Sequence, residues 1–152
     1  MQLSKYIMLA EFERSDYALR HGMKNKMGTT QTAYAKELCV HVLDKIRDYY
    51  KSPIIISSGF RCMSVNTAIG GVATSQHTKG QAADFTIVGK TVDQVFQDIR
   101  CGKIKGLAYD QLIWEFGLWI HISYVADQNR HQNLKAMRQA GRTVYIPVGL
   151  NQ

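Results

Sequence analysis

The stretch Ser75-Gln76-His77-Thr78-Lys79-Gly80-Gln81-Ala82-Ala83-Asp84, followed downstream by Trp119-Ile120-His121-Ile122-Ser123, decides how this chain is read. Together the segments offer two imidazoles and one carboxylate, a donor set that holds a catalytic zinc while a fourth position stays open to water. Such a cation activates water and polarises a carbonyl near neutral pH, so the pattern implies zinc-assisted hydrolysis. Local patterning brings the three together. Gly80 lets the chain turn back after His77, and Ala82 to Val88 reads as a strand with Asp84 and Thr86 on one face and Phe85 and Ile87 on the other. In the strand Leu118 to Tyr124, Leu118, Ile120 and Ile122 face a core, which turns Trp119, His121 and Ser123 toward a cleft.

Two upstream motifs extend the pattern: Ile56-Ser57-Ser58-Gly59-Phe60-Arg61 and Asn66-Thr67-Ala68-Ile69-Gly70-Gly71. With the Ser-x-His-x-x-Gly-x-Ala-x-Asp frame and the later Trp-x-His, these residues resemble the zinc D-Ala-D-Ala metallopeptidases. Those peptidoglycan-cleaving enzymes share a fold with the hedgehog signalling domain. The likeness runs from about Pro53 to Ser123, and the chain is similar to the short single-domain members found in bacteriophages and bacterial genomes. The resemblance implies zinc on His77, Asp84 and His121, and a peptidoglycan stem or cross-bridge peptide containing D-alanine as substrate. It also implies that Arg61 helps bind substrate and stabilises developing oxyanion charge, which suits a fixed, permanently charged fork of donors. A zinc-binding module of the same fold without peptidase activity is the alternative.

A peptidase of this kind needs a general base. Many family members carry a glutamate three residues before the final histidine, where this chain has Leu118. The nearest carboxylate is Glu115, six residues before His121, a spacing that resembles the hedgehog-type variant. Strand parity decides whether it serves. A two-residue turn at Phe116-Gly117 pairs Glu115 with Leu118 and sends it into the core. A three-residue turn, Phe116 to Leu118, pairs it with Trp119 on the His121 face. Burying an unpaired carboxylate is costly, which favours the longer turn. Ser75 is positioned to hold substrate or orient a ligand, and Trp119 to wall the substrate groove. Asn66 is expected to brace the loop carrying Arg61. Asp110 begins its strand too far from His121 to share a metal, so capping is its expected role. Ser57 and Ser58 are expected to bond within the loop, and no Gly-x-Ser-x-Gly elbow supports a serine hydrolase. His21, His41 and His131 read as surface or boundary residues.

Around this site the pattern predicts a helix from Gln31 to Tyr50 with Leu38, Val42, Leu43, Ile46 and Tyr49 buried, and a strand at Ile54-Ile55-Ile56. A short helix follows at Met63 to Ile69, and Thr91-Val92-Asp93-Gln94 opens another with Val92, Val95, Phe96 and Ile99 inward. Strands are expected at Gln111–Phe116 and Leu118–Tyr124, a helix at Asn129–Gln139 and an edge strand at Thr143–Val148. Helices mixed with antiparallel strands, without βαβ alternation, mean an α+β fold with a central antiparallel sheet and flanking helices.

The 152 residues, 45% of them hydrophobic, suit a single domain over 1–152. No apolar run reaches the roughly 20 residues a membrane span needs. The first residues lack the form of a secretory signal, so the expectation is synthesis in the cytoplasm and action on the cell wall by a route the chain does not display. Cys39, Cys62 and Cys101 are an odd, scattered set that makes no disulfide framework, with Cys39 and Cys101 expected to be buried in helices. The net charge of +7 is dispersed and accompanied by no nucleic-acid motif. It is read as solubility and attraction to an acidic substrate surface, with no nucleic-acid partner and a monomeric state expected.

Overall fold

The β-branched run at Ile54 opens the first strand of a six-stranded sheet. A computed structural model describes residues 1–149; the expected domain extends to Gln152, and residues 150–152 lie outside the described part. Before the sheet come two short helices, α1 (Leu9–Glu13) and α2 (Asp16–Arg20), and then the longest helical segment. That segment consists of α3 (Thr29–Leu38), a π-helical turn (Cys39–Leu43) and α4 (Asp44–Tyr50). The expected Gln31–Tyr50 helix is therefore widened at its centre, where the turn accommodates an extra residue. Leu38, Cys39, Val42, Leu43 and Ile46 are fully buried, whereas Tyr49, expected beside them, is 44% exposed. The inward phase passes instead to Tyr50, whose hydroxyl donates to Asp98 over 2.8 Å.

The strands are β1 (Ile54–Ser58), β2 (Ala82–Ile87), β3 (Gln111–Glu115), β4 (Trp119–Ser123), β5 (Gln132–Gln139) and β6 (Arg142–Pro147). Their order across the sheet is β1-β2-β4-β3-β5-β6, and every neighbouring pair is antiparallel except β3 with β5. Helix α5 (Met63–Ala68), a 3-10 turn (Gln76–Lys79) and α6 (Val92–Arg100) complete an α+β fold. Thr91 caps α6 by accepting the Gln94 backbone N–H, and Val95, Phe96 and Ile99 are buried.

The expected helix at Asn129–Gln139 is a strand. Its residues are good helix formers, yet β5 pairs in register with β3 from Gln111↔Gln132 to Glu115↔Ala136 and buries Leu134 and Ala136 at period two. Strand pairing and alternate burial override local propensity. Cys101 also departs from expectation: it caps the end of α6 and is exposed, while Cys39 is buried.

The two faces of the sheet have different tasks. Ala83, Phe85, Ile87, Leu112, Ile120 and Ile122 turn toward the helices and form the main core. On the other face, cross-strand pairing aligns Asp84 with His121, His121 with Ile113, and Trp119 with Glu115. The same rows continue outward, Glu115 meeting Ala136 and Ala136 meeting Tyr145. Ile113, Leu134 and Ala136, with Phe116 against them, form a small apolar floor on this second face. A cleft of about 870 Å³ lies over it.

Candidate metal centre

Three elements deliver the three donors. His77 comes from the 3-10 turn, Asp84 from β2 and His121 from β4, the last two directly opposite each other in the sheet. Gly80 ends the turn at φ +77°, and a Cβ there would lie 2.4 Å from the backbone oxygen of Gln31. The His77 turn thus presses against α3 in a way only glycine permits. Gly59 is equally constrained, since a Cβ would meet Phe12 at 2.8 Å. The carbonyl of Gly59 reaches the Nδ1 of His77 at 2.6 Å, and the Arg61 N–H donates to the His77 carbonyl at 3.1 Å. A carbonyl only accepts, so Nδ1 carries the hydrogen and the neutral ring presents Nε2 as a bare lone pair.

That lone pair points into a tight triangle. His77 Nε2 lies 3.2 Å from His121 Nδ1 and 3.3 Å from Asp84 Oδ1, and His121 Nδ1 lies 3.0 Å from the same oxygen. Four-coordinate zinc with bonds of about 2.0–2.2 Å sets its ligand atoms about 3.3–3.6 Å apart, so the triangle has close to the dimensions of one face of that tetrahedron. The proton inventory agrees. Asp84 Oδ1 and His77 Nε2 are acceptors, and His121 Nδ1 supplies one hydrogen at most. All three residues are buried. The cluster can hold a metal ion, and its two imidazoles and one carboxylate fit zinc.

Electrostatics sharpen the arrangement. Burial holds His77 below its ordinary pKa. Burial alone would push the Asp84 carboxyl up, but the charges and hydrogen bonds of His77 and His121 outweigh it and hold Asp84 below the usual carboxylate range. Burial would likewise lower His121, which the hydrogen bond and charge of Asp84, with the charge of Glu115, raise instead.

Glu115 stands at the edge of the triangle, its Oε1 3.7 Å from His121 Nδ1. The turn after β3 holds three residues, Phe116 to Leu118, and Glu115 pairs with Trp119, as the cost of burying a lone carboxylate requires. Phe116 and Gly117 take up the reversal at φ 58° and 70°. Burial first, and then the charge of Asp84, push the Glu115 carboxyl up to about 7; His121, the Trp119 indole and Arg61 pull the other way. Arg61 faces the same cleft. Burial draws its guanidinium down from the ordinary value while Asp84, Glu115 and Tyr145 support its charge, and its buried Nε has no hydrogen-bond partner.

The sequence model of the Peptidase M15 family matches residues 5–123, more than half of the chain. The chain belongs to the peptidase M15 family. A search of curated proteins finds no match. Membership in M15 makes this a peptidase by descent, and the His77–Asp84–His121 cluster falls inside the matched segment.

The remaining M15 candidates take the following places. Ser75 lines the cleft, and its Oγ accepts the His77 N–H at 3.3 Å, capping the turn that carries the histidine. Trp119 is not among the residues lining the cleft; its Nε1 donates to Glu115 Oε2 at 3.1 Å, which steadies the carboxylate from behind. Asp110 lies away from the cluster and is bound by Arg130 through Nε, an N–H of the guanidinium and the backbone N–H, with Gln76 as a further donor. Asn66 braces a different loop from the one expected, donating to the Val72 carbonyl beside Gly71. The loop carrying Arg61 is held by Asn25, which donates to the Glu13 and Phe60 carbonyls and accepts the Cys62 N–H. Sequence reasoning missed Asn25 because its partners are 12 to 37 residues away, and its only local signal is an amide flanked by Lys24 and Lys26. His41 pairs with Glu37, His21 closes α2, and His131 precedes β5 in a left-handed conformation.

Proposed function

We propose that this M15 peptidase is zinc-dependent and hydrolyses peptide bonds of bacterial peptidoglycan that involve D-alanine, in an endolysin-like or wall-remodelling role. The observation that carries the reading is Glu115 Oε1 at 3.7 Å from His121 Nδ1, a carboxylate held at the rim of a three-donor triangle and bonded from behind by Trp119.

His77, Asp84 and His121 would hold the zinc, which supplies an acidified water and a polarised carbonyl. Glu115 accepts the water's proton and returns it to the amine as the C–N bond breaks and the carbonyl carbon keeps the hydroxyl oxygen. Its environment suits the exchange, because a group with a pKa near the working pH both takes and gives a proton readily. Arg61 donates to the carbonyl oxygen as negative charge gathers there, from a position already fixed by its backbone bond to His77. The net charge of +7 favours approach to an anionic wall surface.

Purified peptidoglycan digested with zinc-loaded protein, with products weighed by mass spectrometry, tests the reading against an E115Q control. Fragments released by the wild type and not by E115Q support it, and their masses name the bond. Stoichiometric zinc binding with intact wall and stem peptides would leave a zinc-binding module instead.

A further inference from the structure

Three guanidiniums line the cleft, from Arg61, Arg130 and Arg138. Their partners differ. Arg61 faces Asp84 and Glu115, and Arg130 is spent on Asp110. Arg138 lies over the Phe116 ring, 5.5 Å from its centroid, and among the described residues no carboxylate is within ion-pair reach of it. The two acids of the cleft are engaged elsewhere, Asp84 by two imidazoles and Glu115 by the Trp119 indole. Arg138 is exposed at the cleft wall, so its guanidinium stays free to meet an anionic group of a ligand.

Register places this charge relative to the chemistry. Ala136 pairs with Glu115, and Arg138 is the next residue of β5 on the same face. One strand across and two residues along is about 8 Å between Cα atoms. Opposite Arg138 on β6 stands Thr143, also lining the cleft, so a hydroxyl and a planar fork of N–H donors adjoin. Tyr145 follows on the same face, next to Ala136. Ala136 itself is fully buried, a methyl set between Glu115 and Tyr145 in the same cross-strand row.

We propose that the β5–β6 hairpin is the specificity wall of the cleft, with Arg138 and Thr143 binding a carboxylate of the substrate peptide at a fixed distance from the bond cleaved at Glu115. This rests on the peptidase reading above and adds its substrate class: peptides that present an acid group to one side of the scissile bond. An arginine fork binds a carboxylate through two parallel hydrogen bonds, which fixes orientation as well as adding affinity. The carboxylate is either the peptide's C terminus or an internal glutamyl acid.

Calorimetric titration of full-length, zinc-loaded E115Q protein tests this without turnover. The probes are a synthetic stem pentapeptide ending in D-alanyl-D-alanine, its C-terminal amide, and the form amidated at the internal glutamyl carboxyl. One of the two amides is expected to bind about tenfold more weakly than the acid, and it identifies which carboxylate is held. Adding R138A, or R138Q to keep the packing over Phe116, should bring the acid down to the level of that amide; R138K should recover only part, since a lysine lacks the fork. Equal binding of acid and both amides, or an acid-to-amide ratio unchanged by R138A and R138Q, overturns the proposal. Digestion of peptidoglycan by the wild type separates the two readings. Cleavage with no effect of Arg138 removes the specificity wall alone, whereas an intact ratio without cleavage removes the catalytic reading and leaves the carboxylate site.

Discussion

Glu115 and Trp119 face each other across a three-residue reversal, and the indole N–H of Trp119 donates to one oxygen of the carboxylate while the other oxygen turns to His121. The pair ties backbone register to the acid–base role proposed for Glu115. A turn one residue shorter would send Glu115 to the opposite face of the sheet.

Replacing Glu115 by glutamine keeps the shape and removes the carboxylate proposed as proton acceptor. The turnover number should fall by about 10²–10⁴, with zinc content unchanged by elemental analysis. A loss of metal equal to the loss of activity would assign Glu115 to metal binding instead.

Trp119→Phe deletes one hydrogen bond to the charged form of Glu115. A donor to the carboxylate lowers its pKa, so the deletion raises it. The acidic limb of the pH profile of kcat/KM should therefore move to higher pH in the mutant. A limb that stays in place would show that another group governs it.

Asp110 is a stability element rather than a ligand. Its hydrogen bonds to Arg130 come first among the influences holding its carboxyl below the usual range. A group with a lowered folded pKa contributes stability above its unfolded value, and that contribution drains away as pH falls toward the folded one. Denaturant melts of Asp110→Asn should show a loss of about 1–2 kcal/mol at pH 7, shrinking below about pH 4. A constant deficit at every pH would point to packing as the cause.

Zinc present at about a hundred times its dissociation constant stabilises a folded site by about 2.7 kcal/mol. Thermal melts of the wild type should rise with zinc and fall with a chelator, and His121→Ala should abolish the response. An undiminished response in that mutant would place the metal elsewhere.

Much of this site could be read along the chain because its signals are local. Alternation in Trp119–Ser123 put His121 opposite a run of isoleucines, and the desolvation cost of a carboxylate selected the turn that Glu115 occupies. What escaped was set by distant partners. Leu134, Ala136 and their helix-forming neighbours became a strand because β3 offered an edge. Tyr49 lost its buried place to Tyr50, beyond a π turn that repeats no motif. Asn25 holds the Arg61 loop through backbone groups that sequence spacing does not reveal.

The attachment of the β5–β6 hairpin has a consequence for redesign. Within the sheet it is joined through β3 alone, while every metal-cluster residue sits on the far side of that seam or before it. The hairpin is thus a cassette. Exchanging it for one of another length or charge, with Leu134 and Ala136 kept to seat it, would reshape one wall of the cleft and leave His77, Asp84 and His121 where they are.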